Sequence, residues 1–119
     1  MDLVELRKKL ELASNDLSVE QLIDKANKVY DKQFDCIKDF DKLKNRWSII
    51  SMEEMAECQQ AISKQLRGKG NDLNLSEEIA DVIFSCFILT KIYNIDIDDI
   101  KKIINIKMNR VLDSKGEFK

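Results

Sequence analysis

Histidine is absent from the 119 residues. That removes every imidazole base, imidazole metal ligand and Ser-His-Asp triad, so any chemistry falls to carboxylates, Lys and Arg, hydroxyls or thiols. The carboxylates carry the strongest pattern. Glu54 and Glu57 stand three residues apart, and so do Glu78 and Asp81; on a helix that spacing puts each pair on one side. With Glu53 set at 0° on a helical wheel, Met52, Met55, Cys58, Ala61, Ile62 and Leu66 occupy roughly 80° to 260°, Glu54 falls at about 100° and Glu57 at about 40°. Glu54 thus lies inside the apolar arc, Glu57 near its edge and Glu53 outside it. The second pair opens onto a run, Val82 to Leu89, that leaves hardly any polar side, as expected of a helix central in its bundle. Asp81 shares its face with Ser85, Ile88 and Ile92.

A carboxylate inside an apolar stripe is costly without compensation, and four converging in a low dielectric repel strongly. Either several are protonated or cations neutralise them. Hard oxygen ligands without His or Cys favour Mg²⁺, with Mn²⁺ as a substitute. Mg²⁺ keeps waters and commonly bridges to phosphate oxygens, which suggests a nucleotide or pyrophosphate ligand. A solvated acidic face is the plainer reading of any one acid; the scant solvated face around Glu78 and Asp81 weighs against it for the set.

Cations occur on the last helical segment. Its apolar stripe is Ile97, Ile100, Ile103, Ile104, Met108 and Val111; Lys107 points into that stripe and Arg110 lies at its edge. A cation on an inner face needs an anion, and a triphosphate would serve, with a structural acid as the alternative. Lys64, Arg67 and Lys69 suit a helix C-terminus. Trp47 could stack on a base, although a core or interface position is the stronger expectation.

The elements that must position these groups are helices. Proline is absent and glycine occurs three times, too few turn residues for an all-β fold. Leu3 to Ala13 reads as a short amphipathic helix, broken at Asn15-Asp16. Ser18-Val-Glu-Gln21 is a capping box, and its helix is expected to run to about Lys44. Ser51-Met-Glu-Glu54 has the same pattern and opens a helix (starting as early as Ser48) that ends near Leu66, at Gly68 and Gly70. Asn74 is expected to cap a helix reaching Tyr93 and stopped by Asn94, and Asp96 one reaching Asp113. The sum is an all-α chain, an antiparallel bundle of four to five helices forming one domain. Residues 1–45 are read as scaffold and oligomer contacts, 46–119 as the part carrying the chemistry. One small chain of this kind leaves apolar stripes uncovered, so a homodimer or homotetramer is expected.

Glu53-Glu54-Met-Ala-Glu57, twenty intervening residues and Glu78-Ile-Ala-Asp81 resemble the EExxE…ExxD signature of the MazG-like all-α nucleoside triphosphate pyrophosphohydrolases. Trp47 upstream, Gln60-Ala-Ile-Ser-Lys64, the apolar helix after Asp81 and the pair Lys107-Met108 extend the likeness over about Trp47 to Lys119. The resemblance implies hydrolysis of a nucleoside triphosphate, preferentially a dNTP, between its α- and β-phosphates. Residue by residue it implies Glu54, Glu57, Glu78 and Asp81 as Mg²⁺ ligands, Glu53 as a group orienting or deprotonating water, and Lys107 and Arg110 as phosphate contacts. Related sequences often carry an Asn or second Arg on the lysine's side; here Asn105 and Asn109 fall opposite. A related pyrophosphohydrolase using dUTP or phosphoribosyl-ATP, or a helical module without catalysis, stays open.

Twenty Lys and Arg against 22 Asp and Glu give a net charge of −2, so no footprint for polymeric nucleic acid is expected. Residues 101–119 depart from this with a local charge of +4, enough for a small anion. Cys36, Cys58 and Cys86 form no CxxC pair and are read as reduced, core-filling thiols of a cytoplasmic protein. No signal-peptide pattern opens the chain, and Val82 to Leu89 is too short for a bilayer.

Overall fold

The computed structural model describes residues 2–114. They form α1 (Leu3–Leu12), α2 (Val19–Ile37), α3 (Phe40–Leu66), α4 (Asp72–Ile92) and α5 (Ile97–Asp113), with no strand among the described residues. Each helix opens on a side-chain cap that satisfies otherwise orphaned amides. The Ser18 box forms in both directions: Ser18 Oγ accepts from the Gln21 amide at 3.1 Å, and Gln21 Oε1 from the Ser18 amide at 2.7 Å. Asp96 caps α5 as expected, its carboxylate accepting from the Asp98 amide. Asn94, in the left-handed region at φ 51°, follows α4 and stops it.

Three expected boundaries are corrected. The helix beginning at Val19 ends at Ile37, not near Lys44, because Lys38 adopts a left-handed conformation at φ 54° and Asp39 then caps a new helix through the Lys42 amide. Ser51 therefore caps nothing. It lies inside the 27-residue α3, 2% exposed, its hydroxyl donating to Trp47 O at 2.7 Å. Lys44, Asn45 and Arg46, at and beyond the expected end of the earlier helix, continue α3 along a face that is mostly exposed. Likewise Asn71, not Asn74, caps α4. At the α3 end only Gly68 has positive φ, 69°. Gly70 serves closeness instead: a Cβ there would meet the Gln65 side chain at 2.5–2.7 Å, and Gln65 is in turn held by a 2.7 Å hydrogen bond to Asp72.

The core is made by three helices. Ala26 and Tyr30 of α2, Leu43 and Trp47 of α3, and Ile88 and Ile92 of α4 pack together. Leu43 and Ile88 are 0% exposed, each contributing about 1.5–3 kcal/mol by burial. The α3–α4 pairing is the most extensive and α2 packs mainly on α4; the short link between α3 and α4 makes them run in opposite directions. Trp47 is a core residue, its Nε1 donating to Gln33 Oε1 at 2.7 Å. The cysteines do not fill the core: Cys36 is exposed, Cys58 and Cys86 half-buried.

The fifth helix differs. It packs only weakly on the rest, and Ile103, Ile104 and Met108 are 46–60% exposed. An exposed ion pair, Lys101 with Glu20 at 3.2 Å, links it to α2. The accessible surface is 9271 Å² for 13.9 kDa, against about 6,700 Å² for a compact monomer of that mass. The radius of gyration, 16.7 Å, likewise exceeds the about 13.5 Å of a compact chain of this length. No helix among the described residues is long and apolar enough to cross a membrane.

Candidate metal centre

Because α3 runs without interruption from Phe40, its register carries Glu54 to the side facing α4, one turn beyond the half-buried Ile50. On α4, Glu78 and Asp81 lie one turn apart at the start of the apolar segment. Carboxylate oxygens from Glu54, Glu78 and Asp81 come within 4.8 Å of one another, and all three residues are half-buried. One oxygen each of Glu54 and Glu78, Oε2 in both, is shielded from solvent with no hydrogen-bond partner. A buried acceptor left unsatisfied costs about 1–3 kcal/mol, more for a charged group.

The electrostatics follow from this crowding. Desolvation, then the charges of Asp81, Glu57 and Glu78, push the Glu54 carboxyl up to about 6. Glu78 is raised too, by desolvation first and then by Glu57, Asp81 and Glu77. Glu57 is exposed, so it acts on the other acids from the rim of the group. Among the described residues no Lys or Arg forms an ion pair with any of the four. An all-oxygen donor set, crowded and without a counter-charge, suits a hard divalent cation.

The other expected site residues stand elsewhere. Glu53 is exposed and outside the three-carboxylate group. Lys107 and Arg110 are exposed on α5, where Arg110 lines a shallow surface cavity with Ile106, Asn109 and Asp113; within one chain they are not gathered with the acids. Lys115 and Lys119, part of the expected basic tail, lie outside the described residues.

Sequence reasoning missed the cavity beside the acids. It measures about 220 Å³ and is lined by Trp47, Ile50, Glu54, Asp81, Phe84 and Ser85. Ile50 precedes Glu54 by four residues, and Phe84 and Ser85 follow Asp81 by three and four. One-turn spacing from an acid was thus an available signal, hidden because Ile50 and Phe84 read as ordinary core.

No curated protein and no solved structure matches the chain. A family model described as the MazG nucleotide pyrophosphohydrolase domain matches residues 47–113, more than half of the chain and including all four acids.

Proposed function

The chain belongs to the MazG nucleotide pyrophosphohydrolase family, and on that premise we propose that it hydrolyses a nucleoside triphosphate, a dNTP by preference, to the monophosphate and pyrophosphate. The observation that carries this reading is the group of three carboxylates within 4.8 Å, two of whose oxygens are buried without a partner. Glu54, Glu78 and Asp81, with Glu57 at the rim, would hold Mg²⁺ or, in its place, Mn²⁺. The bound metal supplies Lewis acidity toward phosphate and a lowered pKa for coordinated water. Glu53 orients the attacking water and accepts its proton; its exposed place on α3, next in sequence to Glu54, leaves it free for exchange. Lys107 and Arg110 bind phosphate oxygens, Arg110 through its planar fork and Lys107 as a point charge.

The working unit is a homodimer or homotetramer, supported by the surface of 9271 Å², some 2,500 Å² beyond that of a compact monomer. Unpaired thiols at Cys36, Cys58 and Cys86 support a cytoplasmic setting. Residues 1–45 supply scaffold and contacts between copies.

The test is a hydrolysis screen over ordinary and modified NTPs and dNTPs, dUTP and phosphoribosyl-ATP included, with and without Mg²⁺, following pyrophosphate. Magnesium-dependent release from dNTPs is expected. Release from dUTP or phosphoribosyl-ATP alone reassigns the substrate. No release, with no binding of a non-hydrolysable nucleotide, makes the chain a helical module without catalysis.

A further inference from the structure

The cavity beside the acids has two kinds of wall. Glu54 and Asp81 form one; Trp47, Ile50, Phe84 and Ser85 form the other. The second wall is mostly carbon, and its N–H and O–H donors are engaged, the Ser85 oxygen keeping acceptor capacity. Trp47 Nε1 donates to Gln33 at 2.7 Å. Ser85, 1% exposed, donates its hydroxyl back to Val82 O at 2.9 Å. Phe84 stands edge-on to Trp47 with ring centroids 5.8 Å apart, yet is 42% exposed, so its ring is steadied on one side and open on the other. At about 220 Å³ the space is smaller than a typical site for a whole ligand, roughly 300–1,000 Å³. It therefore takes one part of a nucleotide.

Which part follows from the order of groups along the molecule. A triphosphate held through a cation at Glu54 and Asp81 would bring its pentose next, ahead of the base, and the carbon surfaces one helical turn from those two acids are Ile50 and Phe84, with the Ser85 hydroxyl beside Phe84. We propose that Ile50 and Phe84 determine sugar selectivity, receiving the C2′ edge of the pentose so that a 2′-hydroxyl there meets carbon. The proposal rests on the pyrophosphohydrolase reading above and adds to it the residues that sort deoxyribose from ribose. An unpartnered buried hydroxyl loses its bonds to water without replacement. An apolar pocket rejects an added hydroxyl by at most about 100-fold, so the preference is graded.

The experiment compares kcat/KM for the matched pairs dATP/ATP, dCTP/CTP, dGTP/GTP and dUTP/UTP in the wild type, Ile50→Thr and Phe84→Tyr, with circular dichroism confirming the fold. Calorimetric binding of the α,β-imido analogues of dUTP and UTP gives a second readout independent of turnover. The deoxy form is expected to be favoured about 10- to 100-fold in every hydrolysed pair. A hydroxyl introduced at either position should pull the ratio toward unity in both readouts; if one variant fails to fold, the other decides. Equal use of ribo- and deoxynucleotides by the wild type overturns the proposal and the dNTP preference while leaving the pyrophosphohydrolase reading intact. A ratio unchanged in the folded variants overturns the proposal alone. No hydrolysis and no binding of any pair overturns the hydrolase reading, and the proposal with it.

Discussion

The α3–α4 pair and α5 are both helical, both rich in isoleucine or leucine, and both charged, yet they treat charge in opposite ways. Between α3 and α4 the negative groups are drawn into a packed seam, where Glu54 and Glu78 lose water and crowd one another. Along α5 the positive groups Lys101, Lys102, Lys107 and Arg110 stay in water beside apolar side chains left exposed among the described residues. Burial turns the first set into a chemical resource: Glu54 and Glu78 are held near acidic neighbours whose charges raise their pKa. Exposure leaves the second set as a surface. One chain thus gathers acids that suit a divalent cation in a packed seam, while the cations of α5 stay in water.

The strongest way to break the contrast is to neutralise the seam. Glu54→Gln or Asp81→Asn should lower the rate of pyrophosphate release by about 10²- to 10³-fold or more, with the helical circular dichroism spectrum unchanged. Turnover at the wild-type rate would show that the seam is not the site. On the opposite side of the comparison, Lys107→Ala should weaken triphosphate binding about tenfold, the scale of one charged hydrogen bond, seen in KM more than in kcat. An unchanged KM would make Lys107 structural.

The third prediction concerns pH. Glu54 has its folded-state pKa raised from 4.5 to about 6, so between those values the folded chain binds more protons than the unfolded one. Metal-free stability from this group is therefore full below pH 4.5 and declines as pH rises through about 6. A thermal melt series without metal should show that fall, and Glu54→Gln should flatten it. Added Mg²⁺ should oppose the fall: at a hundredfold excess over Kd a ligand stabilises the folded state by about 2.7 kcal/mol. A melting temperature that Mg²⁺ leaves unmoved at pH 7 to 8 would remove the metal from the seam. The smallest effect is expected at α5: Lys101→Ala removes the exposed pair with Glu20 and should cost little stability in chemical denaturation. A larger loss would mean that α5 is more firmly docked than its exposure indicates.

What could be read beforehand divides along the same physical line. Local chemistry was legible wherever one side chain decides one turn: Ser18 with Gln21, Asp96, Gly68 and Asn94 all act where expected. Boundaries failed where tertiary packing overrode local signs. Ser51-x-x-Glu54 has the form of a cap, but the helix was already running from Phe40 and the serine spends its proton on its own backbone. At Lys38 the reverse occurs, since Ile37 and Phe40 continue an apolar series that the left-handed lysine interrupts. In the site, the acids were legible because charge within a carbon stripe is conspicuous on a wheel. The cavity wall was not, because Ile50 and Phe84 have the same letters whether they fill a core or face a ligand. Nor could a wheel tell that α5 would present its stripe outward, for that depends on what lies across from it.

The uncovered stripe of α5 and the surplus surface have a consequence for the life of the polypeptide. In the proposed homo-oligomer, covering that carbon would hold the shape by mass action, and half-life would follow how many copies are nearby. Dilution would then work as a mild denaturant, and a newly made copy would be most vulnerable to proteases before it meets a second.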